Sequence, residues 1–468
     1  MLLYTMTPQN FQTVPNLAQC LSVATETREL RVAPGALQEL PALFRTHFQA
    51  DSVFLIADEN TFQAAGADIV KILENAAIPI LGRHIFPSRP VLRADYAHVG
   101  DLVRALGGSF AFPREIQNVV PIAIGGGTIN DLVKRSAFEL SIPYLCVPTA
   151  PSVDGYTASG AALLEGSFKQ TFPCPAPRVV VADTAILSGA PDFLRSSGFG
   201  DLAGKLVAGS DWIIAETVTP AGAKGTEPIE AFAWAMTQRG LRVALERSLG
   251  TSQEAIASQF EALAVTGFAM QYTKSSRPVS GCEHLWSHIW EMGDLSIQGV
   301  PVTHGHKVAL GTLCATALTE TIFSSPHFPL WILQTPIPET TLEQRIGEVG
   351  FLFSGMPGKD AALGTAIEKF HDVPTRKRIK ELVADRWTEL RQRVLNQLMP
   401  YQELRTLLQR AHCPIRGEAI GLSRTEALET GKKAQVIRNR YTALDLAWDL
   451  GILESALGRI EDDPLYLR

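Results

Sequence analysis

A chain of 468 residues with 46% hydrophobic and 19% charged side chains is too long for one ordinary core and suits two globular domains. A formal net charge of −6, with no basic run dense enough to track a phosphate backbone, argues against nucleic acid as a partner. Six dispersed cysteines form no CxxC pair and read as reduced thiols of a cytoplasmic protein; the start, Met1 to Pro8, has no basic-then-apolar leader, and no stretch approaches roughly eighteen apolar residues, so neither a signal peptide nor a membrane span is expected.

In chain order, strands are predicted at Ser52 to Asp58, Ile78 to Phe86, Val119 to Ile124, Pro143 to Val147 and Arg178 to Asp183. Several are nearly continuous in apolar residues, as parallel strands covered on both faces are. Helical patterns over Thr61 to Ala76 and Ile129 to Leu140 fill the gaps, which predicts an open α/β sheet with ligands at the carboxyl ends of its strands. After Asp183 strand signals fade. Apolar residues recur at helical spacing over Ile229 to Leu249, Ser252 to Tyr272, Lys307 to Phe323, Arg378 to Leu398 and Lys432 to Leu453, with a proline-rich connection from Ser324 to Pro338. The division expected is an α/β nucleotide-binding domain over 1–186 and an all-helical domain over 187–468. The charged stretch Arg376 to Arg393 reads as a solvated helix face.

The strand Val119 to Ile124 runs into Gly125-Gly126-Gly127-Thr128-Ile129-Asn130-Asp131, where a helix begins. Glycines there let backbone approach a pyrophosphate, whose charge the free amides of a helix start would stabilise. A strand-to-helix turn needs glycine for packing as well, so two readings stand side by side. Asp131 has its own second reading, as a first-turn carboxylate that stabilises the helix end. The order is not that of the usual Rossmann fingerprint: the spacing is not GxGxxG, and the strand-ending acid, Asp58, precedes the glycines. Asp58 suits either ribose hydroxyls or the cap of the next helix. Beyond the following strand, Thr149-Ala150-Pro151-Ser152-Val153-Asp154 puts hydroxyls and one carboxylate at the sheet edge, where cofactor and substrate would meet; a turn-forming loop is the plain alternative.

Four of ten histidines lie between His284 and His306. On a helix, His284 and His288 share a face, and His304, beside Gly305, can supply a ligand from the next element. This spacing points to a metal or proton-transfer centre. In Gly198-Phe199-Gly200-Asp201-Leu202-Ala203-Gly204-Lys205, Asp201 is either an ordinary i,i+4 partner of Lys205 or a third ligand completing an Asp/His/His set open to substrate.

GGGTINDL, VPTAPSVDGYTASG, GFGDLAGK, SGCEHLWSH, THGHKVALGT and Ile437-Arg438-Asn439-Arg440-Tyr441-Thr442-Ala443-Leu444-Asp445-Leu446 together resemble the sn-glycerol-1-phosphate dehydrogenases, particularly their bacterial branch. These belong with the glycerol dehydrogenases, iron-type alcohol dehydrogenases and dehydroquinate synthases. The resemblance implies a nucleotide domain followed by a helical domain, with the active site in the cleft. It implies metal ligands Asp201, His284 and His304, and substrate contacts at Asp154, Asp201 and His288, with Asp154 and His288 catalytic. It implies NAD or NADP held by Asp58, the loop Gly125 to Asp131 and Thr149 to Ser152, together with one divalent metal among nickel, zinc and iron. A cytoplasmic homodimer acting on a small phosphorylated triose is what it implies for the whole protein. One departure stands out: Ala158, between Thr157 and Ser159, replaces a serine usual in those relatives. Lys205 is the cation singled out for the substrate phosphate. The alternatives are a glycerol or other polyol dehydrogenase, a dehydroquinate synthase-like lyase, which usually carries glutamate where Asp201 stands, and a catalytically dead nucleotide-binding regulator. Extra length around 324–410 has no assigned role.

Overall fold

The computed structural model describes residues 13–107, 115–166 and 168–467; the Met1 to Pro8 start lies outside them. Two compact units emerge: Met1–Leu202 with Ala235–Ser275, and Ala203–Trp234 with Ser276–Arg468. The division falls within one continuous 27-residue helix, Asp192–Val218.

The first unit is built on a six-stranded sheet from β1 (Glu29–Ala33), β2 (Ser52–Asp58), β3 (Ile80–Phe86), β4 (Val119–Gly125), β5 (Leu145–Pro148) and, after an antiparallel hairpin of β6 (Ala161–Glu165) and β7 (Phe168–Phe172), β8 (Val179–Asp183). Its order is β1-β8-β5-β4-β2-β3, and every pairing in it is parallel. β4, β5 and β8 are buried along their whole length, as the continuous apolar runs predicted. β1 and the β6–β7 hairpin were not anticipated: β1 is short and mixed in polarity, so it carries no period of its own. Because β3 and β4 leave β2 on opposite sides, the chain reverses direction across the sheet between β2 and β4. A ligand crevice opens at such a point, beyond the carboxyl ends of the strands.

The late helix Gln253–Thr273 belongs to this first unit. Gln271 accepts from the Glu26 and Thr27 amides and donates to Thr27 Oγ1 and the Thr157 carbonyl, which explains a polar side chain buried in the last turn of the helix.

Described residues of the second unit are helical apart from a two-residue hairpin, Ser296–Ile297 with Val300–Pro301. Several predicted long helices are broken. Lys432 to Leu453 is not one helix but the end of Arg424–Ala434, all of Ala443–Asp449 and the start of Leu453–Asp462. The breaks fall where side chains take over backbone partners, as at the Thr442–Asp445 capping box, and at Gly451, whose φ is +74°. Arg378 to Leu398 likewise divides at Arg386. Nor is Arg376 solvated: it is buried, lies 4.2 Å over the Trp448 ring and donates to the carbonyls of Pro338, Trp448 and Asp449. Helical periodicity records which face is covered, and a long side chain that stacks and satisfies carbonyls is covered despite its charge. Among the described residues no helix is long and apolar enough to cross a membrane, and all six cysteines are buried without a disulfide.

Candidate metal and cofactor site

Gly198 explains how Asp201 is seated. A Cβ on Gly198 would lie 1.8 Å from the Pro151 carbonyl oxygen, so only glycine lets the Asp192–Val218 helix press against the loop after β5. Asp201, one turn further on, is fully buried, and the Asp154 N–H donates to its Oδ2 at 2.9 Å. The loop bearing Thr149 to Ser152 and the carboxylate are thereby tied together. On the other side of Asp201, a Cβ on Gly204 would meet Val308 at 2.7 Å and Glu283 at 3.2 Å, so the second glycine brings this helix against the helices Cys282–Met292 and His304–Phe323.

Those two helices are joined by the short hairpin, whose turn residues Gln298 and Gly299 have φ of +51° and +79°. Positive φ at both positions is the tight-hairpin geometry that folds the chain straight back. Thr303 then caps the new helix, its hydroxyl accepting from the His306 N–H, and so sets His304 as the first helical residue. The histidine rings come together as a result: His284 is 6.1 Å from His288 and 5.4 Å from His304, centroid to centroid.

Asp201, His284 and His304 place ligand atoms within 4.8 Å of one another. Glutamates absent from the sequence reading complete the arrangement. Glu283 Oε1 lies 2.6 Å from His284 Nδ1; Glu291 Oε1 lies 2.7 Å from His304 Nδ1, and Glu291 Oε2 lies 3.2 Å from His288 Nδ1. A carboxylate on Nδ1 fixes the tautomer and leaves Nε2 as the metal-facing nitrogen, the usual outer-shell arrangement of a metal-bound imidazole. The donor set and its supports therefore fit a divalent cation. Glu283 and Glu291 could have been suspected from Cys-Glu-His and from the i,i+3 spacing of His288 and Glu291. His306 is not in the group. Burial pushes His288 down to about 3, with Glu291 pulling the other way, so its imidazole is neutral.

A second buried grouping, Asp211, Cys282 and Glu283, is of a different kind. Asp211 accepts from the Cys282 N–H at 2.6 Å and the Ala443 N–H at 2.7 Å, so both of its oxygens are committed to backbone.

At the carboxyl edge of the sheet, β4 ends in Gly125, and the 13-residue helix Gly127–Glu139 starts without a side-chain cap. A Cβ on Gly125 would crowd Ile129 and one on Gly127 would crowd Val153, whereas Gly126 faces open space. Packing and close approach thus both operate in the triple glycine, and the uncapped amides fit a phosphate. Asp131 is not a first-turn carboxylate: it lies beyond that turn, pairs with the buried Lys134 at 3.2 Å and accepts from the Ala162 N–H. Lys134 Nζ also donates to the carbonyls of Gly155, Ala158 and Gly160, and Asn130 Nδ2 to Gly155, which fastens the loop after Asp154 to this helix. Thr128 and Ile129 lie in the first turn. Thr149 N–H donates to the Gly125 carbonyl, Tyr156 Oη to the Ala150 carbonyl, and Gln259 to the Pro151 carbonyl, while Ser152 Oγ is 3.2 Å from Tyr156 Oη. Neither neighbour of Ala158 is idle: Thr157 donates to the Ala264 carbonyl and Ser159 to Glu26. Asp58 caps the next helix in a capping box with Thr61. Lys205 is fully buried, one turn after Asp201.

A family model described as iron-containing alcohol dehydrogenase matches residues 31–191. A glycerol-1-phosphate dehydrogenase [NAD(P)+] of Halalkalibacterium halodurans is 31% identical over 297 residues, 63% of this chain and 71% of the relative. One from Bacillus licheniformis is 35% identical over 300 residues, 62% of this chain and 69% of the relative. The chain belongs to the glycerol-1-phosphate dehydrogenase family. The fold agrees with glycerol dehydrogenase from Schizosaccharomyces pombe (TM-score 0.55, 17% identity, covering 93% of this chain and 91% of the other) and maleylacetate reductase from Rhizobium sp. (0.55, 15%, 92% and 96%).

Proposed function

We propose that this chain catalyses the reversible NAD(P)-dependent reduction of dihydroxyacetone phosphate to sn-glycerol 1-phosphate, with one divalent metal, nickel or zinc before iron, held by Asp201, His284 and His304. The observation that carries the reading is the convergence of these three residues with a carboxylate behind each histidine. A cation there supplies Lewis acidity at the ketone oxygen, and NAD(P)H supplies the hydride.

The chain's own residues do the remaining work. Glu283 and Glu291 orient the two imidazoles, and burial of Asp201 keeps its carboxylate dry and strongly attractive to a cation. His288, with Nδ1 turned to Glu291, presents Nε2 as an acceptor for a substrate hydroxyl and as a station for its proton. Asp154 joins Asp201 and His288 as a substrate contact, held by its own N–H on Asp201. The amides from Gly125 to Asp131 and the stretch from Thr149 to Ser152 hold the dinucleotide, and Asp58 takes its ribose hydroxyls. We assign the nucleotide-binding role to 1–186 and the metal and substrate role to 187–468, in a cytoplasmic homodimer.

Purified protein supplied with nickel or zinc should oxidise NADH with dihydroxyacetone phosphate far faster than with dihydroxyacetone, and chiral analysis should return the 1-phosphate. Equal rates with the two ketones would move the assignment to a glycerol dehydrogenase. Absence of metal-dependent NADH oxidation with either would remove the dehydrogenase reading. His304→Ala should lose bound metal while the fold survives; full metal content by elemental analysis would take His304 out of the site.

A further inference from the structure

Cationic side chains around the histidines are committed, with one exception. Arg277 donates to the carbonyls of Tyr441 and Asp211, Arg440 to the Ser280 carbonyl and Ser276 Oγ, and Lys307 Nζ lies 3.5 Å from Glu291 Oε1. Arg438 differs. Among the described residues its guanidinium has no hydrogen bond and no ion pair, although the side chain is part-buried.

Its backbone is not loose. Upstream, the Arg424–Ala434 helix is packed on the Cys282–Met292 helix: Trp286 donates to the Ala427 carbonyl, Trp290 to Thr430 Oγ1, and a Cβ on Gly431 would meet the Trp286 ring at 2.6 Å. Downstream, Arg440 is bonded to the loop before Cys282, and the Tyr441 N–H donates to the Gly225 carbonyl. Fixed on both sides, Arg438 stands near enough to Glu291 and His288 to act on both: Glu291 favours its charge, and it lowers the basicity of His288. Burial lowers Arg438 itself more than Glu291 raises it, as for a cation taken partly out of water.

We infer that Arg438 grips the phosphate of the substrate, its planar fork supplying paired N–H donors to two phosphate oxygens beside the histidines that handle the ketone. The inference rests on the dehydrogenase reading above and specifies its substrate contact. In a three-carbon ketose phosphate the phosphorus is one carbon and one ester oxygen from the carbonyl carbon. Metal ligands and phosphate grip must therefore be close neighbours, and Glu291, which supports His304, is the carboxylate whose charge reaches Arg438.

The test compares kcat/KM for dihydroxyacetone phosphate and dihydroxyacetone in metal-loaded wild type, Arg438→Ala and Arg438→Lys. Hydrogen bonds to charged groups set the expected fall in the phosphate-to-free-ketone ratio at roughly 10- to 100-fold for Arg438→Ala. Arg438→Lys, which keeps the charge without the fork, should fall between, with metal content and KM for NADH retained in both. A ratio within about threefold of wild type, whether or not overall activity drops, overturns the assignment. Should Arg438→Ala not fold, the same ratio is read on Arg438→Lys. A wild type that does not prefer the phosphorylated ketone defeats the dehydrogenase reading itself, whereas a wild-type preference surviving in the variants defeats Arg438 alone.

Discussion

Glu291 takes His304 on one carboxylate oxygen and His288 on the other, so one side chain sets the tautomer of a ligand and of a substrate contact together. A glutamine in its place has one oxygen to offer, and one of the two imidazoles must turn. Glu291→Gln and Glu283→Gln should each weaken metal binding by about 10- to 100-fold, measured by competition with a chelator. Unaltered affinity would mean that packing alone holds the rings. Asp58 separates two roles in the same way. Asparagine caps a helix as well as aspartate but carries no charge, so Asp58→Asn should keep thermal stability while shifting the kcat/KM ratio toward NADP(H), whose 2′-phosphate the carboxylate repels. If the ratio stays put, Asp58 only caps its helix.

The helix Asp192–Val218 works as an element through the glycines on either side of Asp201. Gly198→Ala would drive a methyl group into the Pro151 carbonyl, an atom fixed in a loop that Gln259 also holds. The helix must shift. Overpacking of this kind costs about 1–3 kcal/mol, and because the Asp154 N–H is bonded to Asp201, the shift should also reduce bound metal. Thermal denaturation together with elemental analysis reads both; a variant less stable but fully metallated would uncouple the loop from the carboxylate. The breaks in the carboxyl-terminal helices follow similar logic. Breaks at Arg386 and Thr442 interrupt helices that apolar periodicity would continue: Trp387, buried, donates to the Ser325 carbonyl, and the Thr442–Asp445 box starts a new helix.

At the scale of the whole molecule, Asp211 fastens the long helix to the starts of two others through the Cys282 and Ala443 amides. Burial, and then the neighbouring Glu283, raise its pKa from 3.8 to about 7. The folded protein therefore holds a proton that the unfolded chain has released between those values. Stability attached to this proton is fully present below 3.8 and is lost as the pH rises toward 7, on the order of 1.4 kcal/mol per pH unit for one group. Urea denaturation of metal-free protein from pH 5 to 8 should show Asp211→Asn less stable throughout, since asparagine accepts only one of the two amides, but with a flatter decline. An unaltered slope would assign the titration to another group.

Residue type and local spacing determined five of the six sheet strands, the strand-glycine-helix turn and the helical texture after Asp183, and singled out Asp201, His284 and His304 as candidates, because burial period, turn chemistry and ligand chemistry are properties of short segments. Tertiary structure alone decided the rest. Glu283 and Glu291 behind the histidines, Lys134 fastening a distant loop, Arg376 stacked on Trp448, and Gln253–Thr273 joined to the sheet unit all depend on which groups meet across many intervening residues. A charged side chain in the sequence looks the same whether it is solvated, bonded to carbonyls or waiting for a ligand; only packing, by removing water and supplying or withholding partners, distinguishes Arg376 and Lys134 from Arg438.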